Sequence, residues 1–325
     1  MSERESRGLA QCSLRQLGWG PFFQAQITGS HRAELTPARV VAVHRSGLTL
    51  VFEGGSVDIP LSGRWFQRPP EQRPTIGDWV LLNRQRNSVE RLLERRSLLK
   101  RVASGKARDV QLLAANVDTM FLVSSCNEDF NPGRIERYLT LALEAGVEPV
   151  VVLTKSDQVT DPDAYAEAVR ALKPDLEVEV VDAREAATLS GVRAWCGEGQ
   201  TVALLGSSGV GKSTLVNTLS GAQVQLTQEI REDDGKGRHT TTHRSLHLLP
   251  QGGLLVDNPG MRELSLTEAD EGVQALFADI DDLANRCRFR NCQHLREPGC
   301  AVQAAIVGGE LDPRRLDSYR KLQQR

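Results

Sequence analysis

Between the apolar run Val202–Leu205 and the helix-forming segment Ser213–Leu219 lies Gly206-Ser207-Ser208-Gly209-Val210-Gly211-Lys212-Ser213-Thr214. The spacing Gly-x4-Gly-Lys-Ser between a strand and a helix fits a phosphate-binding loop, and nothing else in the chain restricts the fold as tightly. Glycines allow successive backbone N–H groups to converge on phosphate oxygens. The helix N-terminus adds partial positive charge. In this reading Lys212 bridges the β- and γ-phosphates and Ser213 ligates Mg2+.

The surrounding segments extend that reading. Asp257-Asn258-Pro259-Gly260 follows the apolar strand Leu254–Val256. An Asp at a strand end can hold the shell of Mg2+, and Gly260 can offer its N–H to a γ-phosphate. Alone, the tetrapeptide is a turn. Gly237-Arg238-His239-Thr240-Thr241-Thr242 lies between the two motifs in a polar stretch. A threonine there, with Thr241 preferred, can reach Mg2+ and sense the γ-phosphate. Thr154-Lys155-Ser156-Asp157 closes another apolar strand. Asp157 there can accept from both N1–H and the amino group of guanine, a donor pair that adenine lacks. Lys155 lies along the base plane, and Asp182-Ala183 supplies a backbone contact to the guanine O6. These base-reading segments precede the phosphate loop, whereas ordinary GTPases place them after it. The order is that of a circular permutation.

Residues 117–205 alternate strands with helices at about 132–145 and 162–172, which calls for a mostly parallel sheet covered on both faces. Asn131-Pro132 reads as a helix cap followed by proline at the first helical position. Residues 35–102 instead show short strands with turn signals, expected to form a small barrel of either the OB or the SH3-like kind. After about residue 270 the pattern is helical and polar. The net charge of −2 hides an asymmetry: residues 1–110 hold 18 Lys+Arg against 10 Asp+Glu, residues 111–285 hold 13 against 28, and residues 286–325 hold 9 against 4. Basic ends suit a polyanionic partner, and an acidic middle does not. No apolar run is long enough for a membrane span and the N-terminus lacks a secretory signal, so the expected compartment is the cytoplasm.

Cys287-x4-Cys292-x-His294-x5-Cys300 provides four ligands that Zn2+ prefers, enough for one closed, structural tetrahedral site. Arg286, Arg288, Arg290 and Arg296 surround it, a composition suited to RNA phosphates.

Taken together, these motifs resemble the RsgA family of circularly permuted, small-subunit-dependent GTPases. The resemblance covers the chain beyond an N-terminal extension. It implies an extension at 1–34, an OB-fold RNA-binding domain at 35–104, a permuted P-loop GTPase domain at 105–268 and an α-helical zinc-binding domain at 269–325. It also implies GTP hydrolysis stimulated by the small ribosomal subunit during late assembly, with rRNA contacts, GTP and GDP as ligands, Zn2+ and Mg2+ as ions, and a monomeric chain. Three positions depart from or refine the pattern. Asn258 stands where Thr is usual, Thr154 stands where Asn begins the base motif, and Gly209 replaces the Asn of potassium-activated GTPases.

Met261 occupies the position where ordinary GTPases carry the Gln that orients the attacking water. Slow intrinsic hydrolysis follows, with His239 the candidate for orienting water beside Lys212 and Thr241. Rival readings are a GTPase acting on another ribosomal or tRNA target, a nucleic-acid-binding module with a vestigial nucleotide site, and an ATPase.

Overall fold

A computed structural model describes residues 8–27, 35–44, 47–61, 63–102, 110–173, 175–221, 244–258 and 270–323. The strands are β1 (Thr36–Val43), β2 (Gly47–Phe52), β3 (Gly55–Pro60), β4 (Trp79–Leu82), β5 (Val89–Leu92), β6 (Leu98–Val102), β7 (Val110–Ala115), β8 (Thr119–Ser125), β9 (Glu148–Thr154), β10 (Glu177–Val180), β11 (Thr201–Leu205), β12 (Arg244–Leu248) and β13 (Leu254–Asp257). The helices are α1 (Pro21–Gln24), α2 (Gly63–Phe66), α3 (Pro132–Glu144), α4 (Pro162–Arg170), α5 (Ser190–Ala194), α6 (Lys212–Leu219), α7 (Asp270–Leu276), α8 (Ala278–Ala284), α9 (Ala301–Val307) and α10 (Pro313–Gln323).

The apolar runs of the middle region become parallel strands because both of their faces are covered. All but one residue of β8 and all but one of β9 are buried. Strand order is β10-β9-β8-β11-β13-β12, parallel except for the antiparallel β12–β13 pair. The chain lays down β8, β9 and β10 toward one edge, then returns to place β11 on the far side of β8. That reversal opens a crevice at the carboxyl ends of β8 and β11, the usual ligand position in such sheets. Asn131 caps α3 as expected, its side chain accepting from Arg134 N at 3.0 Å. Asp161 does the same for α4, accepting from Ala164 N at 3.2 Å.

The N-terminal strands fall where their turn signals indicate. β1 pairs with β2 and β4, β2 with β3, and β4 with β5, all antiparallel. Their inward residues share one core that includes Val40, Leu50, Ile59, Trp65, Val80 and Val89. Among the described residues no ladder joins β3 to β5, and a cavity of about 310 Å3 lined by Ile59, Pro60, Trp65, Ser88 and Val89 lies between them. Two features had no clear signature in the sequence. β6 and β7 form a separate hairpin. The end of β1 pairs with β12 (Ala42↔Ser245, Val43↔Arg244), which joins the N-terminal strands and the parallel sheet into one ladder.

The apolar segment near the N-terminus packs on its own protein. Leu17 and Phe23 are buried, and Trp19 meets Trp79 edge-on at 4.8 Å. Arg39 of β1 fastens this junction. Its fully buried guanidinium donates to Leu17 O, Gly77 O (3.3 Å), Asn116 O (3.1 Å) and Thr201 Oγ1 (2.8 Å), and lies over the Trp79 ring. Burial lowers its pKa to about 10, so it remains a cation at neutral pH. At the other end, Arg315 of α10 forms a two-pronged pair with Asp279 (2.7 and 2.8 Å) and donates to Leu172 O just beyond α4. Among the described residues no helix is long and apolar enough to cross a membrane.

Candidate nucleotide site and metal centre

β11 ends at the crevice and the chain turns through Gly206–Gly211 into α6. Close packing selects glycine here. A Cβ at Gly206 would lie 2.4 Å from Val123 O, and Gly211 takes φ +92°, a left-handed conformation that strains other residues. Lys212 folds over its own loop, Nζ donating to Gly206 O at 2.9 Å and to Ser207 O. Ser213 stands in the first turn of α6 and is partly exposed, while Ser208 and Thr214 are exposed. Arg134, in the first turn of α3, donates to Ser207 Oγ at 2.9 Å.

The segment expected to read the base adjoins this loop. Thr154, the fully buried last residue of β9, places Oγ1 2.5 Å from Val210 O and 3.1 Å from Ser124 O. One hydroxyl thus ties the end of β9 to both the phosphate loop and β8. Lys155 follows in a left-handed conformation (φ +59°), and Ser156–Gln158 make a single tight turn that carries Asp157. Asp182 and Ala183 follow β10. Ala183 O accepts from Thr218 Oγ1 of α6 at 2.7 Å, so the helix opened by the phosphate loop also holds the second base segment. Arg184 donates to Asp157 and to Asp182. Arg134, Thr218 and Arg184 were not singled out from the sequence, because the contacts that join the site's segments reach partners at least 27 residues away, beside the local Arg184–Asp182 and Thr218–Thr214 contacts.

Asp257 ends β13 beside the same crevice. His247 Nε2 of β12 lies 3.9 Å from its Oδ2 and 3.0 Å from Ser245 Oγ. Asn258 is buried, and its Nδ2 donates to Leu113 O at 2.8 Å, fastening the chain after β13 to β7. His239, Thr241, Gly260 and Met261 lie outside the described residues.

In the C-terminal region, Cys287, Cys292, His294 and Cys300 gather their donor atoms within 4.8 Å of one another. His294 Nδ1 lies 3.6 Å from Cys287 Sγ and 3.5 Å from Cys300 Sγ, and the two sulfurs are 3.8 Å apart. A tetrahedron with metal–sulfur bonds of about 2.3 Å and metal–nitrogen bonds of about 2.05 Å has edges of about 3.8 Å (S···S) and about 3.5 Å (S···N). The four side chains are therefore arranged to hold one metal ion, as their spacing predicts. The loop bearing His294 is ordered by Glu297, which accepts from the backbone N–H groups of Gln293, Leu295 and Arg296. These bonds hold its carboxyl down to about 2. Arg320 and Gln303 both donate to His294 O.

Solved structures share this architecture. YjeQ from Thermotoga maritima superimposes with a TM-score of 0.65 at 24% identity, over 89% of this chain and 97% of its own. YloQ, described as a circularly permuted GTPase, gives 0.62 at 24% identity over 92% and 97%. The class is thus that of the circularly permuted GTPase fold. The family model described as RsgA GTPase matches residues 92–267. The Small ribosomal subunit biogenesis GTPase RsgA 2 of Vibrio parahaemolyticus is 53% identical over 309 residues, covering 95% of this chain and 84% of the relative. The Small ribosomal subunit biogenesis GTPase RsgA of Mesorhizobium japonicum is 49% identical over 313 residues, covering 95% and 89%. The chain belongs to the RsgA GTPase family and is a GTP hydrolase.

Proposed function

We propose that this GTPase acts on the small ribosomal subunit during its biogenesis, binding GTP in the crevice between β8 and β11. The observation that carries the nucleotide assignment is the mutual locking of two segments: Thr154 of the base motif holds Val210 of the phosphate loop, and Thr218 behind the phosphate loop holds Ala183 of the second base segment. A base and its phosphates are then addressed by one rigid unit. Backbone N–H groups of Gly206–Thr214 receive the phosphates, Lys212 bridges the β- and γ-phosphates, and Asp157 with Lys155, Ser156, Asp182 and Ala183 receives guanine. Ser213, Asp257 and Thr241 would hold Mg2+, which neutralises phosphate charge when bound. Gly260 donates to the γ-phosphate and His239 orients water in place of the residue that Met261 replaces.

The partner follows from the names of the relatives and from the surfaces at the two ends. Arg286, Arg288, Arg290 and Arg296 are all exposed around the Cys/His cluster, and Arg288 lies over the exposed Phe289 ring at 5.5 Å. Guanidinium groups beside an open aromatic ring suit phosphates and unstacked bases. The strands of residues 35–104 act as an OB-type RNA-binding domain, 105–268 as the GTPase domain and 269–325 as the zinc-binding domain, after the extension at 1–34. Zn2+ fits the cluster because three of the edges set by its donors match a thiolate–imidazole tetrahedron. The protein works as a cytoplasmic monomer.

GTP turnover with and without purified small subunits tests the reading. Stimulation by small subunits, with little from large subunits or tRNA, is the expected result. Equal stimulation by large subunits, or none by either, would overturn the assignment of the partner.

A further inference from the structure

Arg184 stands immediately after the second base segment and spans the two carboxylates there. Its Nε donates to Asp182 Oδ1 at 3.0 Å, its NH2 donates to Asp182 Oδ2 at 2.8 Å, and its own backbone N–H donates to Asp182 Oδ1 at 3.0 Å. The same NH2 reaches Asp157 Oδ2 at 2.7 Å. The side chain of Asp182 is 13% exposed, that of Asp157 31% and that of Arg184 62%. Arg184 is thus anchored on the more buried acid and extended onto the more open one.

The chemistry of this contact parallels the ligand proposed for Asp157. The N1–H and 2-amino group of guanine belong to a guanidine unit within the base, and they offer a carboxylate two coplanar N–H donors. An arginine side chain offers the same kind of donor array. Arg184 therefore supplies Asp157 with one N–H donor of the kind guanine would use, on Oδ2. Guanine would address both oxygens of Asp157, and one of them, Oδ2, already accepts from Arg184. Adenine carries an acceptor at N1 and cannot replace the arginine.

We propose that Arg184 is an internal competitor of guanine, which holds Asp157 whenever the base does not, lowers affinity for guanine nucleotides and hastens their exchange. This rests on the assignment of Asp157 as the base reader. When guanine takes Asp157, Arg184 keeps its contacts to Asp182, so displacement breaks one exposed contact and leaves the anchor intact. A single exposed pair of this kind is worth a factor of about two to five in an equilibrium constant. The competitor therefore tunes nucleotide affinity without abolishing it.

The test measures binding of GDP and ADP to the full-length protein and its variants Arg184→Ala and Arg184→Gln, by stopped-flow fluorescence with labelled nucleotides. Arg184 is solvent-exposed, and unchanged thermal unfolding of both variants verifies that the fold is retained. Both variants are expected to bind GDP about two- to fivefold more tightly, with ADP no tighter. The ratio of variant to wild-type affinity should approach one as KCl rises, because salt screens the pair that the variants lack. Unchanged or weaker GDP binding in both variants would overturn the proposal. Asp157→Asn is assayed in parallel with xanthosine diphosphate. If that variant gains xanthosine diphosphate binding while the Arg184 variants do not tighten GDP, the competitor fails and the base assignment stands. If it gains none, the base assignment fails and the competitor with it.

Discussion

Replacing Thr154 by valine tests whether the end of β9 sets the shape of the phosphate loop. Valine keeps the volume and the β-branch, so the backbone of β9 has no reason to change. The methyl that replaces Oγ1 would face Val210 O at 2.5 Å and Ser124 O at 3.1 Å. Carbon–oxygen contacts settle at about 3.3–3.6 Å, so the phosphate loop must retreat by roughly 0.8–1 Å at Val210. The lost hydrogen bond and the buried carbonyl left without it cost about 1–3 kcal/mol of stability. A displacement of about 1 Å near reacting groups lowers rates by up to about 10²-fold. Urea unfolding should therefore show a loss in that range, and GTP turnover a fall of ten- to a hundredfold on the same order-of-magnitude reasoning. Thr154→Ser, which keeps the hydroxyl, should retain most of both. A Thr154→Val protein that turns over GTP within about twofold of wild type would refute the claim that this bond shapes the loop, since the rearrangement would then be absorbed elsewhere.

Arg39→Met removes the buried donor of Leu17 O and Asn116 O and leaves Gly77 O with Asn116 Nδ2 alone, and chemical denaturation should show a loss of about 3–5 kcal/mol. Cys292→Ser, or treatment with a strong chelator, should release one equivalent of zinc by elemental analysis and lower the melting temperature of the C-terminal helices; purified wild-type protein without zinc would remove the metal assignment. His239→Ala should lower subunit-stimulated GTP turnover by about 10²-fold while leaving GDP affinity unchanged, and full stimulated activity in that variant would end its catalytic role.

The phosphate loop, the helix cap at Asn131 and the Cys/His cluster were legible in the sequence because each depends on residues close together in the chain. Strand-loop-helix spacing, an Asn-Pro pair and ligand intervals are local patterns. The parallel strands were equally legible, since burial on both faces leaves continuous apolar runs such as Pro149–Leu153. What stayed hidden is non-local. The β1–β12 ladder joins segments about two hundred residues apart through two residue pairs, and Arg244–Leu248 is too short and too mixed to announce a strand. Arg39 reads as a polar residue opening a strand, yet its guanidinium is buried, because three carbonyls and a hydroxyl converge on it. In the tetrapeptide, Thr154 is simply the residue that stands where Asn begins the base motif. Its hydroxyl is committed to the phosphate loop instead, and nothing in the tetrapeptide signals that.

That reversal of roles bears on how the site works as a whole. The phosphate half and the base half are held by each other's residues: a base-motif threonine fixes Val210, and a threonine of the phosphate helix fixes Ala183. Both bonds run across the crevice between elements distant in the chain, so neither half keeps its geometry through local sequence alone. Circular permutation moves the base segments ahead of the phosphate loop without altering the order of the strands in the sheet, and side-chain bonds between the segments that follow those strands survive such a reordering. A site built this way couples base and phosphate recognition: ordering one half restores the acceptors of the other, and the second group binds at a lower entropic cost than the first. The measure of that coupling is whether a lesion in one half appears in the other. Thr218→Val removes the bond to Ala183 O on the base side together with a one-turn helix contact to Thr214 O (3.1 Å), and it should weaken base and phosphate binding together; base binding weakened with phosphate binding unchanged would refute the coupling.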